Sequence, residues 1–326
     1  MNKNSLNEAK QTCGKILEAV SAVFVGNKPV VKKLLAAGLS NGHVLFEDYP
    51  GLGKTLLAKV FARVTGCKYT RIQFTPDLLP ADIVGTRIWR QKDSSFELVK
   101  GPVFTQVLLA DEVNRTPPKT QAALLEAMEE RQVTIDGETH PLGAPFFVLG
   151  TQNPIEQEGT YPLPEAQMDR FMLKLSTGYA ETLEEESSIL TRRIQWKKDD
   201  PAVDVKAVMT AEQFTELQGM AENQIYIDKS ILDYVSCIVR ATREHPKVEI
   251  GASPRGGLSL LKVSRAAALI NGRDFVTPDD IKMFTSDALA HRIILKIEES
   301  LEGANPRKII EEIVETIPAP LEFSPR

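Results

Sequence analysis

The first part of the chain alternates short apolar runs with segments whose apolar residues recur every three or four positions. The short runs indicate buried strands, and the longer spacing indicates amphipathic helices. Strands covered on both faces are apolar almost throughout, which is typical of a parallel sheet. Five segments have strand character: 43–46, 69–74, 106–110, 146–150 and 171–175. We therefore predict an α/β fold built on a five-stranded parallel sheet.

Two other segments alternate polar and apolar residues on either side of a turn, and each predicts a β-hairpin. The first spans 85–104 around Asp93, and the second spans 131–145 around Gly137. Helical spacing fills much of the remaining sequence in this part of the chain. The helices predicted there are 6–24, 30–39 and 117–130.

Beyond Gly178 the strand patterns stop and helical spacing predominates. The pattern divides the chain into an α/β domain, 1–178, and a linker followed by an all-helical domain, 179–326. The helices predicted in the second part are 184–194, 211–223, 229–243, 255–270 and 279–291.

Composition adds little that is specific. The chain has 326 residues, of which 42% are hydrophobic and 25% charged, and its net charge of −5 gives no general attraction to nucleic acid. Three well-separated cysteines and four scattered histidines do not have the spacing of a zinc site, and an odd cysteine count favours reduced thiols. Without a leader pattern or an apolar run of membrane length, we expect a cytoplasmic protein.

The strand at 43–46 is followed by a loop with two glycines, a lysine and a threonine, and then by a helical pattern. This context is typical of a phosphate-binding loop. The glycines let backbone N–H groups turn towards phosphate oxygens, the lysine supplies positive charge, and the threonine hydroxyl is a Mg²⁺ ligand. The residues predicted to bind nucleotide are Asp48, Tyr49, Pro50, Gly51, Leu52, Gly53, Lys54, Thr55 and Leu56. The alternative is a glycine-rich turn with an incidental lysine.

Asp48 departs from the loop pattern, which has a glycine at this position. Aspartate tolerates unusual backbone angles better than most residues. A carboxylate about 6 Å from a phosphate would cost about 3 kcal/mol at an effective dielectric constant of about 20. The sequence leaves open whether the side chain of Asp48 points towards the phosphates or away from them.

Two acidic residues and an amide follow neighbouring buried strands. Asp111 and Glu112 end one apolar run, and Asn153 follows the next. Ligands of parallel sheets collect at the carboxyl ends of strands, so we expect these side chains to face Lys54. Asp111 would then join the Mg²⁺ shell, Glu112 would polarise the attacking water, and Asn153 would hold that water or the γ-phosphate. The alternatives are a solvated strand end and a simple Asn-Pro turn.

Several longer motifs make the chain similar to a known family. They are Asp111-Glu112-Val113-Asn114-Arg115, Pro117-Pro118-Lys119-Thr120-Gln121, Leu125-Glu126-Ala127-Met128-Glu129-Glu130, Thr151-Gln152-Asn153-Pro154 and Gly251-Ala252-Ser253-Pro254-Arg255. With these motifs the chain resembles the MoxR family of AAA+ ATPases over most of its length. The resemblance implies a P-loop NTPase core of AAA+ type and a C-terminal helical lid.

The resemblance also implies roles for single residues. Lys54 and Thr55 match the Walker A lysine and threonine, Asp111 and Glu112 match Walker B, and Asn153 matches sensor 1. The two hairpins resemble the helix-2 and pre-sensor-1 inserts of the family.

Two arginines match residues that act on the γ-phosphate in the family. Arg170 lies where the arginine finger is expected, with an ion pair to Asp169 or Glu165 as the alternative. Arg255 matches the sensor 2 arginine of the lid, with a solvent-facing residue at a helix start as the alternative. Arg115 is left as either a contact to a neighbouring subunit or a surface charge.

Val25 and Gly26 are expected to line the adenine pocket. The resemblance implies ATP and Mg²⁺ as cofactors, a ring of subunits that is most simply a hexamer, and client proteins that include those with von Willebrand factor A domains. We therefore predict an ATP-hydrolysing, chaperone-like motor. The alternatives are a motor subunit of a metal chelatase, a nucleotide-dependent assembly scaffold with little hydrolysis, and a nucleic-acid motor.

Overall fold

The structure is a computed structural model of the chain and describes residues 3–154, 159–197 and 200–321. The strands, numbered along the chain, are β1 (Val44–Glu47), β2 (Tyr69–Gln73), β3 (Gly85–Arg90), β4 (Ser95–Lys100), β5 (Val107–Asp111), β6 (Gln132–Ile135), β7 (Glu138–Pro141), β8 (Phe147–Gln152), β9 (Leu173–Leu175), β10 (Val248–Ile250) and β11 (Ile294–Leu295). The helices are α1 (Lys3–Val23), α2 (Lys28–Leu39), α3 (Lys54–Val64), α4 (Pro80–Val84), α5 (Pro118–Glu130), α6 (Glu165–Met168), α7 (Leu183–Trp196), α8 (Ala211–Gln224), α9 (Lys229–Glu244), α10 (Pro254–Ile270), α11 (Pro278–Leu289), α12 (Ile297–Leu301) and α13 (Pro306–Thr316).

The predicted five-stranded parallel sheet is confirmed, with the strand order β2-β5-β8-β1-β9. Val44 of β1 pairs with Leu149 of β8 on one side and with Leu173 of β9 on the other. The inner strands β5 and β8 are buried almost throughout, which explains their continuous apolar sequences. Because all five strands run in the same direction, the loops after β1, β2, β5 and β8 meet at one edge of the sheet.

Both predicted hairpins form, as the antiparallel pairs β3–β4 and β6–β7. Trp89 and Phe96 lie directly opposite each other in the first hairpin, and their rings meet edge to face at 5.0 Å. An ion pair between Arg87 and Glu138 joins the first hairpin to the second. The two hairpins therefore form a connected projection beside α5.

Helix starts are fixed by side chains that cap free backbone N–H groups. The Asn27 side chain accepts from the N–H of Val30 at the start of α2, and Pro29 follows in the first turn. At the start of α8, Thr210 and Gln213 form a reciprocal capping box. These caps explain why the helices begin within a few residues of the positions that the sequence predicts.

The helical character predicted beyond Gly178 is confirmed, and one short antiparallel pair, β10–β11, adds to it. Strands of two and three residues are too short for an alternation of polar and apolar residues to be recognised in the sequence. The helices α12 and α13 follow the last helix that the sequence predicts. Within the described residues, no helix has the length and apolarity that a membrane crossing requires.

One buried cluster joins the helical region to the α/β part across the predicted boundary at residue 178. Phe214 of α8 packs edge to face on Phe61 of α3 at 6.1 Å, and Phe61 in turn contacts Phe147 of β8 at 5.6 Å. The second cluster, on the other face of the sheet, includes residues of α5 and both strands β5 and β8. The region from α8 to α11 is therefore packed firmly on the face of the sheet that α2 and α3 cover.

Candidate nucleotide site

The loop after β1 has the backbone shape of an anion cradle. Gly51 and Gly53 take positive φ angles of 83° and 76°, which other residues rarely adopt. An added Cβ at Gly53 would also lie 3.1 Å from the Phe24 ring. Gly53 caps α3 without a side-chain hydrogen bond, so the first N–H groups of that helix face the loop and favour an anion.

Lys54 is positioned by this loop. Its Nζ donates to the carbonyl oxygens of Tyr49 at 2.8 Å and Asp48 at 3.1 Å. Partial burial lowers the pKa of Lys54, and the carboxylates of Asp48, Asp111 and Glu112 oppose that shift. The ammonium group lines the cavity in front of the loop, where phosphate oxygens would offset the cost of its partial burial.

Asp48 turns its carboxylate away from the cradle. Its Oδ2 accepts from the N–H of Thr177 at 2.7 Å and from the Thr177 hydroxyl at 2.9 Å, and its Oδ1 accepts from the Ser176 hydroxyl at 2.5 Å. The residue is 5% exposed. The sequence left open whether the Asp48 side chain points towards the phosphates. In the structure it points towards Ser176 and Thr177 and so connects the loop to the segment that follows β9.

A cavity of about 510 Å³ lies in front of the loop. It is lined by residues of the loop, of α3, of the carboxyl ends of the strands and of the segment after α7, namely Asp48, Pro50, Gly51, Leu52, Gly53, Lys54, Thr55, Leu56, Lys59, Arg71, Asp111, Glu112, Thr151, Gln152, Asn153, Asp200 and Pro201. The structure thus brings the predicted loop residues other than Tyr49 together with Asp111, Glu112 and Asn153, as the sheet topology predicts. Tyr49, which we expected to bind nucleotide, does not line this cavity in the described chain and is 41% exposed.

Asp111 is held by hydrogen bonds to both carboxylate oxygens. Thr151 donates to Oδ1 at 2.6 Å, and Arg71 donates to Oδ2 at 2.7 and 3.0 Å. Thr55 and Asp111 line the same cavity. A hydroxyl and a carboxylate are oxygen ligands of the kind that Mg²⁺ takes alongside phosphate oxygens and water. These two residues fit a Mg²⁺ ion, although no group of three or more His, Cys, Asp or Glu side chains suited to a metal occurs among the described residues.

Glu112 adopts a left-handed backbone conformation, with φ 58° and ψ 50°. Such a conformation costs a non-glycine residue about 1–3 kcal/mol and is frequent at functional sites. The Glu112 N–H donates to the Thr151 hydroxyl at 2.8 Å, and the carboxylate accepts from Gln73 at 2.6 Å and Arg115 at 3.1 Å. From the sequence, Arg115 could be a contact to a neighbouring subunit or a surface charge. In the structure it binds Glu112 of its own chain.

A second cavity of about 330 Å³ adjoins the first and shares the loop residues from Pro50 to Gly53 with it. Val25 and Gly26, the residues predicted for the adenine, line this cavity together with Tyr179, Ile189 and Trp196. A recess with apolar side chains next to a phosphate cradle agrees with the predicted position of the base.

Arg170 and Arg255 do not line either of these cavities within the described part of the chain. Both bind Glu129 instead: Arg170 at 3.0 Å, and Arg255 at 2.6 and 3.2 Å. The ion-pair partner of Arg170 is therefore Glu129 and not Asp169 or Glu165, the alternatives considered from the sequence. We call Glu129, Asp169, Arg170 and Arg255 the arginine cluster.

Several residues of the site were not predicted from the sequence, and three of them contact Asp111 or Glu112. Gln73 and Arg71 belong to β2, and Thr151 belongs to β8. Gln73 ends β2, and Asn153 follows β8 of the same parallel sheet. The rule that polar residues at the carboxyl ends of parallel strands face a ligand would therefore have found Gln73 as well. Arg71 and Thr151 act through Asp111, and nothing in the linear sequence indicates that contact.

Comparison with known proteins agrees with this geometry. Residues 43–173 match the ATPase family associated with various cellular activities (AAA), and residues 240–313 match an AAA lid domain. The protein YeaC of Bacillus subtilis is 46% identical over 95% of this chain and 96% of its own length. The chaperone MoxR1 of Mycobacterium tuberculosis is 42% identical over 92% of this chain and 80% of its own.

A solved structure shows the same fold. A protein from Cytophaga hutchinsonii, described provisionally as an ATPase, superposes with a TM-score of 0.89 at 41% identity and 97% coverage of both chains. The magnesium-chelatase subunit ChlI of Nicotiana tabacum is more distant, at 26% identity over 60% of this chain. On these findings, together with the nucleotide cavity and the lid, the chain belongs to the MoxR family of AAA+ ATPases.

Proposed function

We propose that the protein hydrolyses ATP and that each complete site is formed by two copies of the chain. One copy supplies the cavity with Lys54 and Glu112, and the other supplies Arg170. The observation that carries the hydrolysis proposal is that one cavity brings Lys54 of the cradle together with Asp111, Glu112 and Asn153. These residue types in this arrangement position a phosphoryl group and a water molecule.

Each residue of the cavity has a distinct task in this proposal. Lys54 and the N-terminus of α3 bind the β- and γ-phosphates, and Asn153 orients the terminal phosphate or the water. The Glu112 carboxylate now accepts a hydrogen bond from Gln73. In the proposed reaction the attacking water replaces Gln73 as the donor to this carboxylate. Thr55 and Asp111 would hold Mg²⁺, which would supply positive charge beside the phosphate oxygens.

The sharing of the site is supported by the position of the arginine cluster. Arg170 and Arg255 are held at Glu129, outside the cavities that the loop lines. An arginine that stabilises charge on the γ-phosphoryl group is worth about 10³–10⁵ in rate. A protomer whose arginines bind elsewhere would therefore be slow on its own, and a second copy would supply the missing charge. We infer a ring of such contacts, most simply a hexamer.

The packing of the helical region indicates which part of the protomer responds to nucleotide. The region from α8 to α11 is buried against α2, α3 and β9, so a large hinge motion there would expose apolar surface. In contrast, none of the residues of α7 is buried, and α7 borders the cavity assigned to the base. We infer that α7 moves on ATP binding and hydrolysis more readily than the rest of the lid.

The proposed output is chaperone-like remodelling of partner proteins, including those with von Willebrand factor A domains. This part rests on similarity to MoxR1, whose name describes a chaperone. A chelatase motor is the weaker alternative, because the similarity to the chelatase subunit is lower and covers less of the chain. The three unpaired cysteines agree with a cytoplasmic location, which we propose as well.

The test is ATP turnover as a function of protein concentration for the wild type, Glu112→Gln and Arg170→Ala. We expect turnover per subunit to rise with concentration in the wild type, because assembly completes the site. Both variants should bind nucleotide but lose turnover by about 10²-fold or more. No turnover of the wild type at any concentration with Mg²⁺ would favour an assembly scaffold instead. Capture of partners on Glu112→Gln, which should retain ATP, would then test the remodelling role.

A further inference from the structure

Arg292 is a buried arginine of the helical region that binds the chain around Arg170. It ends the short 3-10 turn after α11, and 1% of its side chain is exposed. Burying a charged group is unfavourable unless partners compensate for the lost water. The hydrogen-bond partners of Arg292 therefore indicate which segments of the chain this arginine stabilises.

The guanidinium binds the residues on both sides of Arg170. Its Nε donates to Asp169 Oδ1 at 2.6 Å, and its Nη2 donates to the carbonyl oxygens of Asp169 at 3.0 Å and Phe171 at 2.8 Å. Its Nη1 donates to the carbonyl oxygen of Met172 at 3.2 Å. One planar group thus binds the backbone carbonyl groups of residues 169, 171 and 172, which lie on both sides of Arg170.

The same guanidinium is anchored on the helical region. Nη1 also donates to the carbonyl oxygen of Ala288 in α11, and Nη2 lies 3.2 Å from the hydroxyl of Ser259 in α10. Burial lowers the pKa of Arg292, while the hydrogen bond and the charge of Asp169 raise it. Because the ordinary pKa of arginine lies far above neutrality, Arg292 stays charged and keeps all five of its donors.

Asp169 connects this group to the rest of the arginine cluster. Its Oδ2 accepts from the Ser253 hydroxyl at 3.3 Å and lies 3.7 Å from Nε of Arg255. Both arginines predicted to act on the γ-phosphate are therefore linked, through Asp169, to the buried Arg292. A shift of α10 or α11 would therefore also shift the backbone on either side of Arg170 through these contacts.

We propose that Arg292 is a positioning residue that fixes the backbone on either side of Arg170, so that the Arg170 finger reaches the site of the neighbouring copy at a set place and angle. The proposal rests on the proposed role of Arg170. Among the described residues, Arg292 does not line the phosphate cavity, so its effect on turnover is indirect and is exerted in the neighbour's site.

The experiment compares Arg292→Lys with the matched control Arg307→Lys. Arg307 also joins the helical region to the sheet, since it donates to Asp287 at 2.7 Å and to the carbonyl oxygen of Lys174 at 2.8 Å. It does not bind residues 169–172 among the contacts of the described chain. Lysine keeps the charge in both variants but cannot replace the planar fork of donors.

We expect Arg292→Lys to lower turnover by about ten- to a hundredfold, which is the cost of a misplaced reacting group. Its affinity for a fluorescent ATP analogue and its assembly on size-exclusion chromatography should match the wild type. Arg307→Lys should stay within about twofold of the wild type in all three measurements. Mixing Arg292→Lys with Lys54→Ala should restore turnover, because the Lys54→Ala copy still presents a well-placed Arg170 to the intact cavity of its neighbour.

If Arg292→Lys hydrolyses ATP at the wild-type rate while Arg170→Ala is inactive, the proposal for Arg292 is overturned and the proposed function stays in place. Wild-type turnover of Arg170→Ala would overturn the proposed function itself. A loss of turnover that mixing does not restore would show a purely structural role and would also overturn the proposal. If Arg292→Lys fails to fold by circular dichroism, Asp169→Asn, which removes the charged partner, decides the question by the same measurements and outcomes.

Discussion

The phosphate cavity and the arginine cluster are built in opposite ways. The cavity is formed by backbone N–H groups, by two glycines with positive φ angles and by carboxylates that are each held by neighbouring side chains. In the arginine cluster, Arg170 and Arg255 share the carboxylate of Glu129, and the three side chains are between 32% and 44% exposed. Exposed ion pairs of this kind contribute about 1 kcal/mol or less, so they exchange partners readily.

This difference indicates how the work is divided between the two regions. A preformed cradle would bind the nucleotide in each copy without help, because its groups are already oriented before the ligand arrives. Side chains in exchangeable ion pairs are suited to leave Glu129 and enter the site of a neighbour. The predictions below test this contrast between a preformed cavity and a cluster that changes partners.

The largest effect is expected for Lys54→Ala, which removes the only loop ammonium that faces the phosphates. Loss of a charge-assisted hydrogen bond should weaken ATP binding by about ten- to a hundredfold. The control is Lys59→Ala, since Lys59 also lines the cavity but pairs with Asp200 at 2.7 Å. Its effect on the Kd from equilibrium dialysis should be about threefold or less. Equal losses in the two variants would mean that general positive charge, and not the cradle, binds the nucleotide.

An intermediate effect is expected for Asp48→Asn, and it concerns stability. The carboxylate accepts three hydrogen bonds from Ser176 and Thr177, and an amide cannot accept all of them as well. The free energy of unfolding, measured with denaturant, should fall by about 1–3 kcal/mol. The Kd for ATP should change by about threefold or less, because the side chain faces away from the phosphates. Binding that becomes about tenfold tighter would show instead that the carboxylate repels the phosphates.

The contrast also explains what the sequence can and cannot predict. The sheet, the cradle and the placement of Asp111, Glu112 and Asn153 follow from periodicity and from the rule for carboxyl ends of parallel strands. The orientation of Asp48 does not, because it depends on Ser176 and Thr177, more than 120 residues further along the chain. A motif identifies a residue type at a position, whereas partners that are distant in sequence determine where its side chain points.

The same reasoning applies to the arginine cluster. The family resemblance indicates roles for Arg170 and Arg255, and those roles remain predictions. The sequence suggested Asp169 or Glu165 as partners for Arg170 because they are close along the chain, whereas the fold brings Glu129 of α5 to it. Arg292 had no motif at all, and only the burial of its side chain draws attention to it.

The smallest effect is expected for Glu129→Gln. This change removes the charge that holds Arg170 and Arg255 in the free protomer, so less free energy is needed to move Arg170 into the site of a neighbour. Turnover at low protein concentration should rise by about two- to fivefold, in line with the strength of exposed ion pairs. Glu130→Gln makes the same charge change one residue further along and serves as the control. A fall in turnover specific to Glu129→Gln would mean that the cluster must stay intact for catalysis.

The most direct test of the shared site is to mix two inactive variants, Lys54→Ala and Arg170→Ala, and to measure ATP turnover per subunit at fixed total concentration. Where an Arg170→Ala copy offers its intact cavity to a Lys54→Ala neighbour, that neighbour supplies Arg170 and the site is complete. A mixture of Lys54→Ala with Glu112→Gln serves as the control, because both changes damage the cavity and no combination repairs it. If the site is shared, turnover of the first mixture will exceed that of either component, and turnover of the control mixture will not. A first mixture that never exceeds its components would contradict the shared site.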